Sequence, residues 1–262
     1  METTTEIGEA RDWQGNLLDC GSCEHCSWQL EDRCRLGHAC VHDRYARRID
    51  RFFRWHPALG VDYFTHPYFE VRAIAAKYAD LFHLPQLVLD PDETVRRSIA
   101  ERLPAGSKYL KALKDDLHRE VRIRVAQRLD VAELASMACD EDYLVRQYVA
   151  RRLPVGALVK MIHDPDTEVR KVVARRIGPE WIMLMTQDRD VGVRIEAVRR
   201  ATTEQLKRFL GDPDWQVRYE VAKRVDDSEL VVLADDPDPL VRELAQLRLG
   251  GRDWASALPE AC

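Results

Sequence analysis

A Val-Arg pair recurs along most of this chain, at Val71-Arg72, Val95-Arg96, Val121-Arg122, Val145-Arg146, Val169-Arg170, Val193-Arg194, Val217-Arg218 and Val241-Arg242. The spacings are 24, 26, 24, 24, 24, 24 and 24 residues. A period held this closely forces each unit to pack on its neighbours, because one short unit cannot bury an apolar face alone. The unit reads D-P-D-x-x-V-R-x-x-V-A-x-R-L, as in the stretch Asp164 to Ile177 and again in Asp212 to Val225. A second apolar group follows it, for example Leu158, Met161 and Ile162, or Leu206, Phe209 and Leu210.

The first half of the unit is predicted to be helical, since Val169, Val173 and Ile177 fall at i, i+4 and i+8 with Ala174 beside them. Its start is chemically marked. One Asp of the D-P-D triplet is expected to cap free N–H groups, and Pro, with no N–H to lose, suits a first turn. The triplet leaves open which Asp is the cap, and Asp90 to Glu93 has capping-box spacing. Two full helices with their turns need roughly 33 to 47 residues, as in TPR, ankyrin and HEAT repeats, so 24 is too short for that plan. The alternating L-x-x-L-x-L strand of a leucine-rich repeat is missing as well. What remains is one α-helix of about 10 residues and one short 3-10 turn per unit.

Stacking turns each repeat position into a row. One row runs Arg72, Arg96, Arg122, Arg146, Arg170, Arg194, Arg218 and Arg242, and a second runs Arg102, Arg128, Arg152, Arg176, Arg200, Arg224 and Arg248. Arg122, Arg146, Arg170, Arg194 and Arg218 are candidates for contact with an acidic partner or a nucleic acid. The competing expectation is that each Arg pairs with an Asp of a neighbouring turn, because the Asp rows have the same period and cancel the charge. Net charge argues mildly against a nucleic-acid backbone as ligand. Residues 1–66 hold 8 basic and 11 acidic side chains, which leaves 32 and 34 of the totals of 40 and 45 for the rest, a formal net charge of −5.

Five of the seven cysteines sit outside the repeats, in C-G-S-C-E-H-C-S-W-Q-L-E-D-R-C-R-L-G-H-A-C from Cys20 to Cys40. A segment this small cannot build an adequate apolar core, so a metal or a cluster is expected to organise it. Zinc would take four thiolate or imidazole ligands, and His25, His38 and His42 are available beside the cysteines. An iron–sulfur cluster would take four thiolates. The C-x5-C spacing of Cys34 and Cys40 is unlike a zinc knuckle and leans toward iron–sulfur. The first residues, Met1 to Arg11, show neither an apolar core nor a basic leader, and no apolar run approaches the roughly 18 residues of a membrane span. A cytoplasmic setting is therefore expected, where clustered thiols bind metal more often than they form disulfides.

The 24-residue unit behind an N-terminal cysteine cluster resembles the leucine-rich repeat variant proteins over nearly the whole chain. The resemblance implies an all-α fold, with α and 3-10 helices alternating in a right-handed superhelical solenoid. It also implies a small N-terminal domain housing a [4Fe–4S] cluster on four cysteines. On this reading residues 1–43 form the cluster domain, 44–66 an amphipathic capping helix and connector, and 67–262 about eight repeats. One pair from each end of the segment gives Cys20, Cys23, Cys34 and Cys40 as ligands and leaves Cys26 over. The alternative keeps Cys20, Cys23 and Cys26 as a ferredoxin-like triplet with a distal fourth ligand. Arg33, Arg35, Arg44, Arg47 and Arg48 lie close enough in sequence to offset the cluster's charge.

Between cluster and repeats, Tyr45, Ile49, Phe52 and Phe53 share one helical face and Pro57 ends the run. That face is expected to cover the first repeat and dock the cysteine segment, in preference to lying on a membrane. Cys139 falls where other repeats hold His163, Gln187 or Gly211, so a tolerated small residue is the simpler reading; Cys262 is assigned no role. The G-x-x-x-x-G-K-[ST], G-x-S-x-G and H-E-x-x-H signatures are absent. The leading expectation is a non-enzymatic iron–sulfur protein whose repeats bind another protein. Beside it stand a zinc-containing binder of nucleic acid or acidic partners and a redox enzyme with an open cluster edge.

Overall fold

The computed structural model describes residues 10–251. Cys262 and all but the end of the Met1 to Arg11 stretch lie outside the described residues. Two compact units form, the first ending at Glu133 and the second beginning at Leu134. The first contains α1 (Cys26–Leu30), α2 (Ala46–Trp55), α3 (Phe69–Tyr78), α4 (Glu93–Ala100), α5 (Lys108–Ala112) and α6 (Arg119–Arg128), with α7 (Val131–Leu134) at its end. The second contains α8 (Tyr143–Arg152), α9 (Thr167–Arg176), α10 (Val191–Arg200), α11 (Thr203–Leu206), α12 (Trp215–Ala222), α13 (Asp227–Leu230) and α14 (Pro239–Leu249). In both, 3-10 segments such as Leu84–Leu87 and Ile182–Met185 alternate with the longer helices, as the period requires.

The repeat positions form the core. Every Val of the eight Val-Arg pairs is fully buried, and so are the residues four positions later, such as Ile99, Val125, Val149 and Val173. The second element is longer than a single 3-10 turn in places, and several of these stretches open with a short α-turn. Ser107 and Thr202 accept the Tyr109 and Gln205 amides and start short α-turns, Thr202 as part of a capping box. Pro154 offers no such oxygen, and Val155–Met161 stays 3-10.

The D-P-D triplet divides its labour. The second Asp is the cap: Asp92, Asp142, Asp166 and Asp214 each accept, at 2.8 Å, from the amide two residues on. Pro91, Pro165 and Pro213 therefore precede the helix and do not sit in its first turn, and Asp90 with Glu93 forms no capping box. Pro239, behind the Asp238 cap, takes the first position of its α-helix. The first Asp of each triplet faces inward and accepts the amide of the second, as Asp90 does from Asp92 and Asp212 from Asp214.

That inward Asp receives the Arg of the preceding repeat. Arg72 meets Asp90, Arg96 meets Asp116, Arg146 meets Asp164, Arg170 meets Asp188, Arg194 meets Asp212 and Arg218 meets Asp236, each through two parallel N–H···O contacts of 2.6–3.0 Å. These side chains are at most 12% exposed on the Arg side and 9% on the Asp side. The free edge of each guanidinium donates to carbonyls of its own turn, as Arg146 does to Asp140 O at 2.7 Å and Glu141 O at 3.1 Å. Arg122 makes the matching contacts to Asp116 O and Leu117 O. The Val-Arg row is thus turned into the stack.

The second Arg row closes the other end of the helices. Arg102 donates to Ala76 O, Arg224 to Ala201 O at 2.8 Å, and Arg248 to Ala222 O at 2.7 Å and Val225 O at 3.0 Å. The acceptors lie in the last helical turn or just past it, where no helical N–H reaches them. The one 26-residue interval is absorbed between Leu103 and Leu110, both buried, where Leu153 and Leu158 stand closer in sequence. The Arg96–Asp116 pair survives the insertion.

α2 covers the start of the stack, with Ile49, Phe52 and Phe53 buried. Tyr45 departs from the expected face: it precedes the helix, is 46% exposed, and lies under the Arg44 and Arg48 guanidiniums. The following 3-10 segment, Pro57–Tyr63, lies so close to α3 that a Cβ on Gly60 would stand 2.9 Å from Ala75 O.

Removing Asp212 strands the Arg194 charge in a nearly dry site. Asp212→Ala is expected to lower the stability of the second unit by about 3–5 kcal/mol, while replacing both partners with apolar residues recovers much of that loss; urea denaturation checks both. Acid acts on the same pairs. The Arg218 hydrogen bonds hold the Asp236 carboxyl below its ordinary value. Its stabilisation is present above the unfolded value of about 3.9 and disappears as pH falls through the lower folded value. The urea midpoint should be flat near neutrality and fall below about pH 4, with a shallower fall in Asp236→Asn.

Candidate metal centre

The cysteine segment is shaped by short local devices. Asp19 Oδ1 accepts the Gly21 amide at 2.9 Å, turning the chain between Cys20 and Cys23. α1 then carries it away from the first pair, and Asp32, at φ 55°, reverses it. Arg35 and Ala39 exchange backbone hydrogen bonds of 2.9 and 2.8 Å across a tight turn at Gly37, whose φ is 71°. Cys34 and Cys40 flank that bridge. The C-x5-C spacing is therefore a small hairpin that sets two cysteines side by side.

Four thiols are linked by mutual repulsion, all pairs but Cys20 with Cys40. Cys23 feels Cys20, Cys34 feels both, and Cys40 feels Cys23 and Cys34. Burial first, and negative neighbours second, push all four thiols above their ordinary values, Cys40 to about 12. Such a donor set becomes four thiolates only around a positive core, so its chemistry fits a metal or cluster. Backbone amides already point at the sulfurs, with His25 N–H donating to Cys23 Sγ at 3.4 Å. Cys34 and Cys40 are buried and Cys20 and Cys23 half-buried, whereas Cys26 opens α1 in an exposed position. Cys139 is exposed in the second unit.

The histidines considered as zinc ligands are placed differently from one another. His42 Nε2 lies 3.1 Å from a Glu24 oxygen, and His25 Nε2 lies 2.6 Å from Tyr63 Oη, which donates to Glu24 at 3.0 Å. Donor atoms of Cys23, Glu24 and His42 fall within 4.8 Å of one another. His38 points elsewhere, held by Arg51 through its ring at 2.7 Å and its carbonyl at 2.9 Å. Glu24 and Tyr63 had no signal in the sequence, since 39 residues separate them. The five nearby Arg residues divide as well. Arg48 pairs with buried Asp43 at 3.0 Å, Arg33 lies over Trp28 at 4.1 Å, Arg44 donates to Tyr45 Oη at 3.0 Å, Arg35 is in the hairpin bridge, and Arg47 is exposed on α2.

An aromatic joint fixes the segment to the first repeat. The Phe52 ring lies 5.3 Å from His25, 6.3 Å from Trp28 and 5.5 Å from Phe53, and Phe53 stacks toward Tyr78 of α3. The Cys40 amide donates to Arg48 O in α2, and Trp13 stacks on Tyr68 at 5.9 Å. Phe52→Ala is expected to cost about 3–5 kcal/mol and to expose the Cys20–Cys40 segment to limited proteolysis before the repeats are cut.

Comparison with known proteins finds relatives of both the cysteine segment and the repeats. Residues 10–62 match the family described as LRV protein FeS4 cluster, and residues 143–166 match the leucine rich repeat variant. A solved structure titled as a leucine-rich repeat variant with a novel repetitive protein structural motif is 44% identical, covering 88% of this chain and 99% of its own, with a TM-score of 0.84. An uncharacterized 27.7 kDa protein in the nifB 3′ region of Rhodobacter capsulatus is 45% identical over 98 residues, which is 37% of this chain and only 40% of that protein's length. With α and 3-10 helices alternating behind a cysteine segment of this kind, the chain belongs to the leucine-rich repeat variant family and carries its N-terminal iron–sulfur domain.

Proposed function

We propose that Cys20, Cys23, Cys34 and Cys40 hold a [4Fe–4S] cluster, and that the protein couples this centre to a protein partner bound by the repeat scaffold. The supporting observation is the donor set: Cys23, Cys34 and Cys40 repel one another and Cys20 repels Cys23 and Cys34, while Cys26 is exposed at the start of α1. When bound, such a cluster supplies one-electron transfer. The residues around it suit exchange across one side. Cys34 and Cys40 lie on the buried side, the His25 amide donates toward sulfur, and half-buried Cys20 and Cys23 border solvent. Hydrogen bonds to sulfur and solvent access are the levers that set a cluster's potential.

The test is iron and sulfide analysis of anaerobically purified Cys→Ser variants. Cys26→Ser is expected to keep the wild-type iron and sulfide content and a broad absorption band near roughly 400 nm. Each of Cys20→Ser, Cys23→Ser, Cys34→Ser and Cys40→Ser is expected to lose most of it. A cluster retained in Cys34→Ser but lost in Cys26→Ser assigns the ligands to the triplet arrangement. Colourless wild-type protein with one equivalent of zinc overturns the cluster, in favour of a site such as Cys23 with His42.

A further inference from the structure

The first unit carries a groove of about 470 Å³ between the outer faces of α2, α3 and α4. Each helix lends it a continuous stripe: residues 46, 47, 50, 51 and 54 from α2, 70, 73, 74 and 77 from α3, and 94, 97, 98 and 101 along α4 and its C-cap. At 1.5 Å per residue the α2 stripe alone runs about 12 Å. Its least exposed lining residues are apolar, buried Ala73 and half-buried Ile74 of α3.

The rim is cationic on an acidic protein. Arg47, Arg51 and Arg54 come from α2, Lys77 from α3 and Arg97 from α4, against the carboxylates of Asp50, Glu70 and Glu101, five against three, whereas the whole chain is formally −5. Asp50 is already engaged by Arg54 at 2.8 Å, Lys77 at 2.6 Å and Tyr78 Oη at 3.0 Å. Arg47 and Arg97 are both exposed to solvent. The helix beneath these charges also holds the cysteine segment, through Arg48 O to the Cys40 amide and Arg51 to His38.

We infer that this groove is the docking site for an acidic segment of a partner protein, seated about one helix diameter, roughly 10 Å, from the Cys34–Cys40 hairpin. The inference rests on the reading of the chain as a cluster protein that engages a protein partner. An extended stripe of separated charges over an apolar floor suits a polypeptide better than a compact ligand, whose polar contacts converge. Asp50 and Glu101 already pair with Arg54, Lys77 and Arg124, and Glu70 on the same rim repels a phosphate backbone but can pair with Lys or Arg of a mixed-charge protein segment. The net negative charge of the rest of the chain disfavours acidic partners away from this groove and so orients them toward it.

Cluster-loaded protein titrated into a fluorescently labelled peptide of alternating Glu and Ala, read by anisotropy at low salt, tests the inference. Wild-type protein and a Lys160→Glu control in the second unit should bind. The Arg47→Glu/Arg97→Glu variant should bind at least about tenfold more weakly, and salt at about 0.5 M should abolish the difference. Equal affinity in all three proteins, or no binding by wild type, overturns the inference. Displacement of the peptide by a DNA duplex more strongly, per charge, than by unlabelled peptide overturns it in favour of a nucleic-acid surface. Iron and sulfide are measured on every sample: a failed docking site leaves them at wild-type values, and a failed cluster reading shows as their absence from wild type.

Discussion

The buried Arg–Asp pair between consecutive repeats is the contact on which the rest of each unit depends. One carboxylate does three things. It accepts both arms of a guanidinium from the repeat before, takes the amide of the capping Asp two residues on, and so fixes where the next helix begins. The guanidinium is equally committed, with its remaining edge on carbonyls of its own turn. Two charges withdrawn from water are tolerated here because every donor and acceptor near them is matched. A pair of this kind contributes modest net stability but much specificity, since any other register leaves a charge buried alone. The 24-residue period is thus enforced by electrostatics as well as by Val and Ala packing.

The stack needs a beginning, and α2 with the Pro57–Tyr63 segment supplies it. Neither carries a D-P-D turn or a Val-Arg pair, so the pairing that joins repeats is replaced by aromatic burial. Phe53 faces α3 through Tyr78, and Phe52 faces the cysteine segment through His25 and Trp28. Gly60 lets the two backbones close to a distance that no side chain would allow. The cysteine segment is consequently packed against the scaffold through a shared aromatic layer.

The repeats were legible in the sequence because their rule is local and printed many times. Val169, Val173 and Ile177 disclose a buried face wherever they recur, and the Asp rows beside the Arg rows disclose the pairing. What the triplet alone left open was decided by geometry: only the second Asp can reach the amide two residues on while the first is held by an Arg from 18 residues earlier. The cysteine segment was less legible because its contacts are either very short or very long in range. The Cys34–Cys40 spacing reads as irregular until Gly37 is seen to close a hairpin. Tyr63 meets Glu24 and His25 across almost forty residues with no motif to announce it.

α2 is the element in which these two kinds of structure meet. Its apolar residues Ile49, Phe52 and Phe53 are buried in the aromatic layer. Its polar face carries Arg47, Arg51 and Arg54 in an arc that the aromatic face cannot neutralise, while Asp50 alone offsets them from within the helix. This helix of 10 residues is tied at both ends, by Asp43 to the Tyr45 amide at one and by His56 to Arg33 O at the other. Arg47, Arg51 and Arg54 of the groove and the carbonyl that accepts the Cys40 amide thus belong to one helix.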